Sequence, residues 1–138
     1  MTILDTNVLS ALMRHSPEPA VVAWMDRQPR TSLWTTSVTV LEVRFGLQIL
    51  PGGKRRSALV QSFEALLDKI GHRVAEFDLD AAEHAGDLMA SRHTGGRPVE
   101  LRDTMIAGIV LARHASLATR NVMHFQDASV PLVDPWSE

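Results

Sequence analysis

Three carboxylates in this chain could do chemistry together: Asp5, Glu42 and Asp103. Asp5 closes the apolar opening run Ile3-Leu4, Glu42 lies among Leu41, Val43 and Phe45, and Asp103 precedes Met105 and Ile106. Each has a local explanation. Asp5 and Thr6 suit a helix N-cap, Thr39-x-x-Glu42 has the spacing of a capping box, and Asp103 in a first turn answers the helix dipole. As a set they invite another. Ionised carboxylates packed together repel, and are tolerated where a divalent cation compensates them; an oxygen-only donor set suits Mg²⁺ or Mn²⁺. A zinc site is disfavoured, because cysteine is absent and no two histidines have H-x-H or H-x-x-x-H spacing.

The elements that must position these acids read as strands alternating with helices. Met1, Ile3 and Leu4 form a strand, and Val8, Leu9, Ala11 and Leu12 line the helix after it. Ser16-Pro17-Glu18-Pro19 opens a second helix through Val21, Val22, Trp24 and Met25, stopped by Pro29. Leu33–Thr36 is a strand, and Ser37 or Thr39 caps a helix whose expected inner face is Val38, Leu41, Phe45 and Ile49. After the turn Pro51-Gly52-Gly53, a helix from Lys54 carries Leu59, Phe63, Leu66, Leu67 and Ile70 and closes at Gly71. Arg73–Phe77 reads as a strand, and Asp78 or Asp80 caps an Ala-rich helix to about Arg92. Beyond the loop Gly95–Pro98 a helix is expected from Val99 to His114, then a buried strand at Leu117–Thr119. Val130–Val133 is an edge strand, since Pro131 cannot donate to a central ladder. This order predicts an α/β fold with a central, mainly parallel sheet of four to five strands covered on both faces. Right-handed crossovers put every strand's carboxyl end on one side, where ligands bind. All three acids are thereby aimed at one crevice.

The composition narrows the function classes. At 138 residues, with 45% hydrophobic and 22% charged, the chain reads as one globular domain, residues 1–138. The lack of cysteine removes disulfides, zinc thiolates and a thiol nucleophile, and fits a reducing compartment. No secretory leader or membrane-length apolar run is present, so a cytoplasmic location and no membrane partner are expected. With a net charge of −2, any nucleic-acid partner must meet a local basic patch. Aromatic residues make up only 5%, too few for base stacking to dominate such binding. Two other acidic-cleft enzymes fail on composition. A phosphorylated receiver domain needs a mid-chain strand aspartate and a late lysine, whereas the last lysine here is Lys69. A haloacid-type phosphatase needs D-x-D, and Asp5-Thr6-Asn7 lacks it.

Four stretches in order carry a family resemblance: Ile3-Leu4-Asp5-Thr6-Asn7-Val8-Leu9, Thr39-Val40-Leu41-Glu42-Val43-Arg44-Phe45-Gly46, Leu101-Arg102-Asp103-Thr104-Met105-Ile106-Ala107, and Leu117-Ala118-Thr119-Arg120-Asn121. Together they resemble the four motifs of the PIN-domain ribonucleases, with the VapC toxins, and their FitB-like branch, most similar. The ending Asp134-Pro135-Trp136 is also of that branch's kind. The resemblance implies a PIN-like three-layer α/β/α sandwich and Mg²⁺- or Mn²⁺-dependent hydrolysis of RNA. Asp5, Glu42 and Asp103 match the metal-holding positions, where the ion would polarise a phosphoryl oxygen and help water attack. Thr6 would hold Asp5 or a metal-bound water, and Thr119 matches the hydroxyl residue at the fourth strand's end. One departure stands out. Relatives carry a fourth acid after Thr-Arg or three residues further on; here those positions are Asn121 and His124. Asn121 offers a carbonyl oxygen without charge, so one well-held metal and a weaker second are expected, with Asp127 a candidate to act through water.

Among basic groups, Arg102 and Arg120 are placed for phosphate contacts, and Arg44 is a candidate to neutralise the acids. Lys54-Arg55-Arg56 reads as a solvated face, with Arg92 and Arg97 flanking the glycine loop. His72, His84, His93 and His114 read as ordinary histidines. Surplus apolar residues (Val21, Val22, Trp24 and Met25; Phe45, Leu47, Ile49 and Leu50) suggest an interface. The resemblance implies a homodimer and a cognate antitoxin, with DNA bound only through the antitoxin complex. The competing expectation is a catalytically weak binding module that acts as co-repressor with a DNA-binding antitoxin.

Overall fold

A computed structural model describes residues 1–98 and 100–138. β1 (Thr2–Leu4) leads through α1 (Thr6–Met13) and α2 (Pro19–Arg27) to β2 (Leu33–Thr36). Next come α3 (Ser37–Gln48), α4 (Lys54–Lys69), β3 (Val74–Ala75), α5 (Leu79–Thr94), α6 (Leu101–Arg113), β4 (Ser116–Ala118) and β5 (Leu132–Val133). Short 3₁₀ turns at Val122–His124 and Gln126–Ala128 join β4 to β5. The five strands form one sheet in the order β3-β2-β1-β4-β5, and all four pairings are parallel.

Strand alternation splits the core in two. Leu4 faces a cluster with Val8 and Leu9 of α1, Trp24 and Met25 of α2, Val43 and Leu47 of α3, and Phe63 and Leu66 of α4. Ile3, its neighbour, faces Ala81 and Leu88 of α5 and Ile106, Ile109 and Val110 of α6. Successive side chains on a strand point to opposite faces, so a sheet buried on both sides is apolar at both positions. The result is the expected α/β/α sandwich. The helices α5 and α6 pack closely because Gly108 faces Ala81 and Ala85; a Cβ at Gly108 would lie 2.5 Å from the Ala81 carbonyl oxygen. At the end of α4, Gly71 adopts φ +65° and the His72 amide donates back to the Leu67 carbonyl at 2.8 Å, ending the helix as its sequence predicts.

Three expectations need correction. The cap of α3 is Thr36, whose hydroxyl accepts from the Thr39 amide at 2.9 Å, so Ser37 and Thr39 are already helical and the Thr39–Glu42 capping box does not form. The buried side of α3 is Val38, Thr39, Val43 and Leu47, while Leu41, Phe45 and Ile49 are 61%, 59% and 67% exposed. This helix is apolar on two sides, and periodicity alone could not choose between them. The third strand is shorter than Arg73–Phe77, because the Phe77 amide leaves the ladder to donate to the Ser37 hydroxyl. The expected start of the sixth helix at Val99 lies outside the described residues; its described portion begins at Leu101. Among the described residues no helix is long and apolar enough to cross a membrane.

Candidate active site

The sheet order sets the location. The chain steps outward from β1 to β2 and β3, then returns to the other side of β1 as β4, so the connections leaving β1 and β4 diverge. Such a switch point opens a crevice at the strands' carboxyl ends. Asp5 follows β1 directly and Thr119 follows β4, and the Asp5 amide donates to the Ala118 carbonyl at 2.9 Å. A cleft of about 500 Å³ opens there, bordered by Asp5, Thr6, Asn7, Glu42, Asp103, Arg120 and Asn121.

Asp5 is the most constrained of these groups. It is 3% exposed and caps α1 by accepting from the Thr6 amide at 2.8 Å. Its other oxygen accepts from the Thr119 hydroxyl at 2.7 Å and the Asn7 side-chain amide at 3.3 Å. Burial raises the Asp5 carboxyl from 3.8 to about 6; the Thr119 and Thr6 hydrogen bonds oppose the rise, and the charges of Asp103 and Glu42 add to it. Glu42, in the second turn of α3, accepts from the Thr6 hydroxyl at 2.8 Å and faces the Arg102 guanidinium at 3.7 Å. Asp103, in the first turn of α6, lies 3.2 Å from the His124 ring.

The acids expected to converge therefore border one cleft, and Asn121 borders it with them. Thr119 lies buried behind Asp5, and its hydroxyl also accepts from the Asn121 amide at 3.1 Å. Thr6 divides its roles in a way the sequence did not indicate: the amide holds Asp5 while the hydroxyl holds Glu42. Arg120 borders the cleft with its guanidinium 5.0 Å from the Trp136 ring, so the Asp-Pro-Trp ending helps wall the site. Arg102, expected to contact phosphate, pairs here with Glu42 at 3.7 Å and with Glu100 at 4.0 Å. It also takes the neutralising role expected of Arg44, which points to solvent from α3. Asp127 is not free to serve the cleft. Both its oxygens are taken by Arg92, at 2.8 and 2.9 Å, which holds its carboxyl below the usual range.

Two contributors, Asn7 and Arg92, escaped the sequence reading. Asn7 donates to Asp5 and Thr119 and accepts from the Arg120 amide, tying β1's exit to β4's exit. His124, marked in the sequence only as lacking an expected acid, contacts Asp103. Arg92 is no solvated residue: it is 3% exposed and also donates to the Thr104 hydroxyl and the His124 carbonyl. It thereby pins the 3₁₀ turns after β4 to the first turn of α6, and so fixes where Asp103, Asn121 and His124 sit. Asn7 lies inside the quoted opening motif; nothing local marks Arg92.

The donor chemistry of the cleft fits a hard divalent cation. Its acids supply oxygen only, and the Asp5 carboxyl, raised first by burial and further by the charges of Asp103 and Glu42, is one whose ionised form a cation would stabilise. Among the described residues no three acidic or histidine side chains are gathered tightly enough to enclose an ion, since Glu42 and Asp103 each turn to a neighbour.

A model of the PIN domain matches residues 2–129. The chain belongs to the PIN-domain family. Among its relatives in that family is VapC ribonuclease Y4jK of Sinorhizobium fredii, 39% identical over 99% of this chain and 98% of that protein. The crystal structure of FitAcB from Neisseria gonorrhoeae superposes with a TM-score of 0.90 at 30% identity, covering 100% of both chains. A structure of FitAB bound to an IR36 DNA fragment gives 0.89 at 31% identity, covering 99% of this PIN domain and 96% of that chain. The resemblance drawn from four short motifs thus extends to the whole fold.

Proposed function

We propose that this PIN domain is a Mg²⁺- or Mn²⁺-dependent endoribonuclease, the toxin half of a toxin–antitoxin pair, acting in the cytoplasm as a single domain. The observation that carries the reading is the meeting of Asp5, Glu42 and Asp103, from three separate elements, on one cleft at the sheet's switch point. Asp5, Glu42 and Asp103 would hold the ion, with Asn121 offering a neutral carbonyl oxygen. A divalent cation there would neutralise phosphate charge and make a water acidic enough to attack phosphorus. The chain's own part is positioning. Thr119, Asn7 and the Thr6 amide fix both oxygens of Asp5, the Thr6 hydroxyl fixes Glu42, and Arg120 at the wall offers a cation to a phosphate. Arg102 reaches phosphate only if it leaves Glu42, which an ion taking over Glu42's charge would favour.

The relative named a ribonuclease supports the assignment of substrate; the 30% identical Toxin FitB of Neisseria gonorrhoeae and the structure of VapBC-5, from a toxin–antitoxin family, at a TM-score of 0.69 and 25% identity, support that of partner. An antitoxin would cover the cleft, and DNA would be met by the complex, as the DNA-bound FitAB structure suggests. The exposed stripe Leu41, Phe45 and Ile49, at i, i+4 and i+8 on α3, supports a homodimer. The test is RNA cleavage by purified protein with Mg²⁺ or Mn²⁺ against an EDTA control, with Asp5→Asn and Asp103→Asn alongside. Cleavage that persists in EDTA, or in both variants, would sink the reading. The second reading, a non-cleaving co-repressor module, is favoured by Asn121 and His124 at the fourth-acid positions. It requires that RNA stay intact with either metal while the chain still strengthens operator binding by its antitoxin.

A further inference from the structure

Two further cavities continue from the catalytic cleft. The first, about 280 Å³, shares Thr6, Ser10, Arg14 and Glu42 with the cleft and adds Arg55 and Leu59. The second, about 680 Å³, shares Met13, Arg14, Arg55 and Leu59 with the first and adds His15 and Lys54. Among the described residues Glu42, shared with the cleft, is the single carboxylate bordering the first, and none borders the second. The chain therefore has a continuous groove that begins at its acids, passes over the end of α1 and finishes on the first turn of α4.

The charges along that groove are placed at a cost. The first turn of α4 carries Lys54, Arg55 and Arg56 with no acidic residue and no side-chain cap. Cations at a helix N-terminus oppose the helix dipole. Arg56 is held by the Gln48 side chain, but among the described residues Lys54 and Arg55 have no carboxylate partner. Arg14, 57% exposed, pairs only with Glu18 at 3.3 Å, a surface contact readily exchanged for another anion. Elsewhere around the cleft most cations are committed, Arg102 to Glu42 and Glu100, and Arg92 and Arg97 to Asp127, while Arg120 stands against the Trp136 ring at the wall itself.

We propose that Arg14, Lys54 and Arg55 form a backbone track for single-stranded RNA, gripping the phosphates next to the one held in the cleft. This rests on the ribonuclease reading for the identity of the strand. It supplies what a chain of net charge −2 with an acidic cleft otherwise lacks, a local cationic surface adjoining the site. The track is sequence-neutral, since it touches phosphate and not bases.

The test measures binding of a fluorescein-labelled, mixed-sequence 20-nucleotide RNA by anisotropy in EDTA, at salt from 50 to 200 mM. The triple variant R14A/K54A/R55A is compared with wild type and with R30A/R44A/K69A, which removes the same charge away from the groove. Each phosphate contact on a single strand contributes roughly 0.7 to the salt slope, so the groove variant should lose about 2. Across the fourfold salt range its affinity should fall roughly 16-fold less than wild type's, while the matched control keeps the wild-type slope. Equal slopes for the two variants, or no RNA binding by wild type, would overturn the track. So would a polyglutamate peptide that loses binding to the groove variant while RNA does not, since the groove would then serve an acidic protein segment. Circular dichroism of each variant excludes unfolding. Because binding is read without metal, its outcome is independent of whether wild type cleaves RNA when Mg²⁺ or Mn²⁺ is added, which tests the ribonuclease reading by itself.

Discussion

Replacing Asp5 by Asn should make the metal-free protein more stable at neutral pH. Burial raises the Asp5 carboxyl from 3.8 to about 6, a difference of about 2 pH units. At 1.36 kcal/mol per unit, ionising Asp5 in the folded state costs about 3 kcal/mol more than in the unfolded chain. The folded state binds the extra proton between pH 4 and 6, so stability falls across that window as pH rises and is fully reduced above it. Asparagine keeps the cap to the Thr6 amide but must rearrange its contacts with Thr119 and Asn7, a loss of about 1 kcal/mol. The net gain at pH 7.5 is about 2 kcal/mol, which raises Tm by roughly 4–8 °C for a domain of this size. Thermal denaturation in EDTA from pH 4 to 8 reads this directly, and the advantage should vanish near pH 4. A variant no more stable than wild type at pH 7.5, with a pH-independent difference, would refute the account of Asp5 as a buried, undercompensated carboxylate. Added Mg²⁺ should then stabilise wild type and leave the variant unchanged.

Thr119→Val removes a hydrogen bond that lowers the Asp5 carboxyl, so the acid limb of the RNA-cleavage pH profile should move to higher pH, with Thr119→Ser restoring it; an unmoved limb contradicts the role. Arg92→Met strands Asp127 and frees the turns beside the cleft, which should cost about 3 kcal/mol in urea denaturation. Asp127's lowered carboxyl means that this contribution is present above the ordinary carboxylate value and is lost as pH falls below it toward the lowered one, so wild type and variant should converge in strong acid. Gly108→Ala forces a methyl into the Ala81 backbone and should destabilise by about 2 kcal/mol without changing the cleft's metal response. Phe45→Glu places a charge on the exposed stripe of α3 and should dissociate the proposed homodimer, read by sedimentation as a monomer's mass; unchanged mass would dismiss that face as the interface.

The acids were legible because each follows its strand or opens its helix in chain order, and a parallel sheet turns that order into proximity. Thr119 was legible for the same reason. Arg92 and Asn7 were not, because their meaning lies in partners 35 and 112 residues away that no local pattern foretells. The helix α3 misled on two counts. Thr36, Ser37 and Thr39 are all competent caps, and apolar residues lie on both sides, so only packing against the sheet selects Thr36 and the Val43–Leu47 side. Lys54 and Arg55 read as solvated charges, because a groove made by two helices leaves no trace in the sequence of either.

The floor of the cleft joins the chain's opening to a point near its close. Asp5 is synthesised ahead of the Ala118 carbonyl and the Thr119 hydroxyl that fix it, which come more than a hundred residues later. A nascent chain therefore cannot fix Asp5 until β4 and Thr119 have been translated. Synthesis itself delays the moment at which the cleft exists, and any partner that must intercept it has that interval in which to arrive.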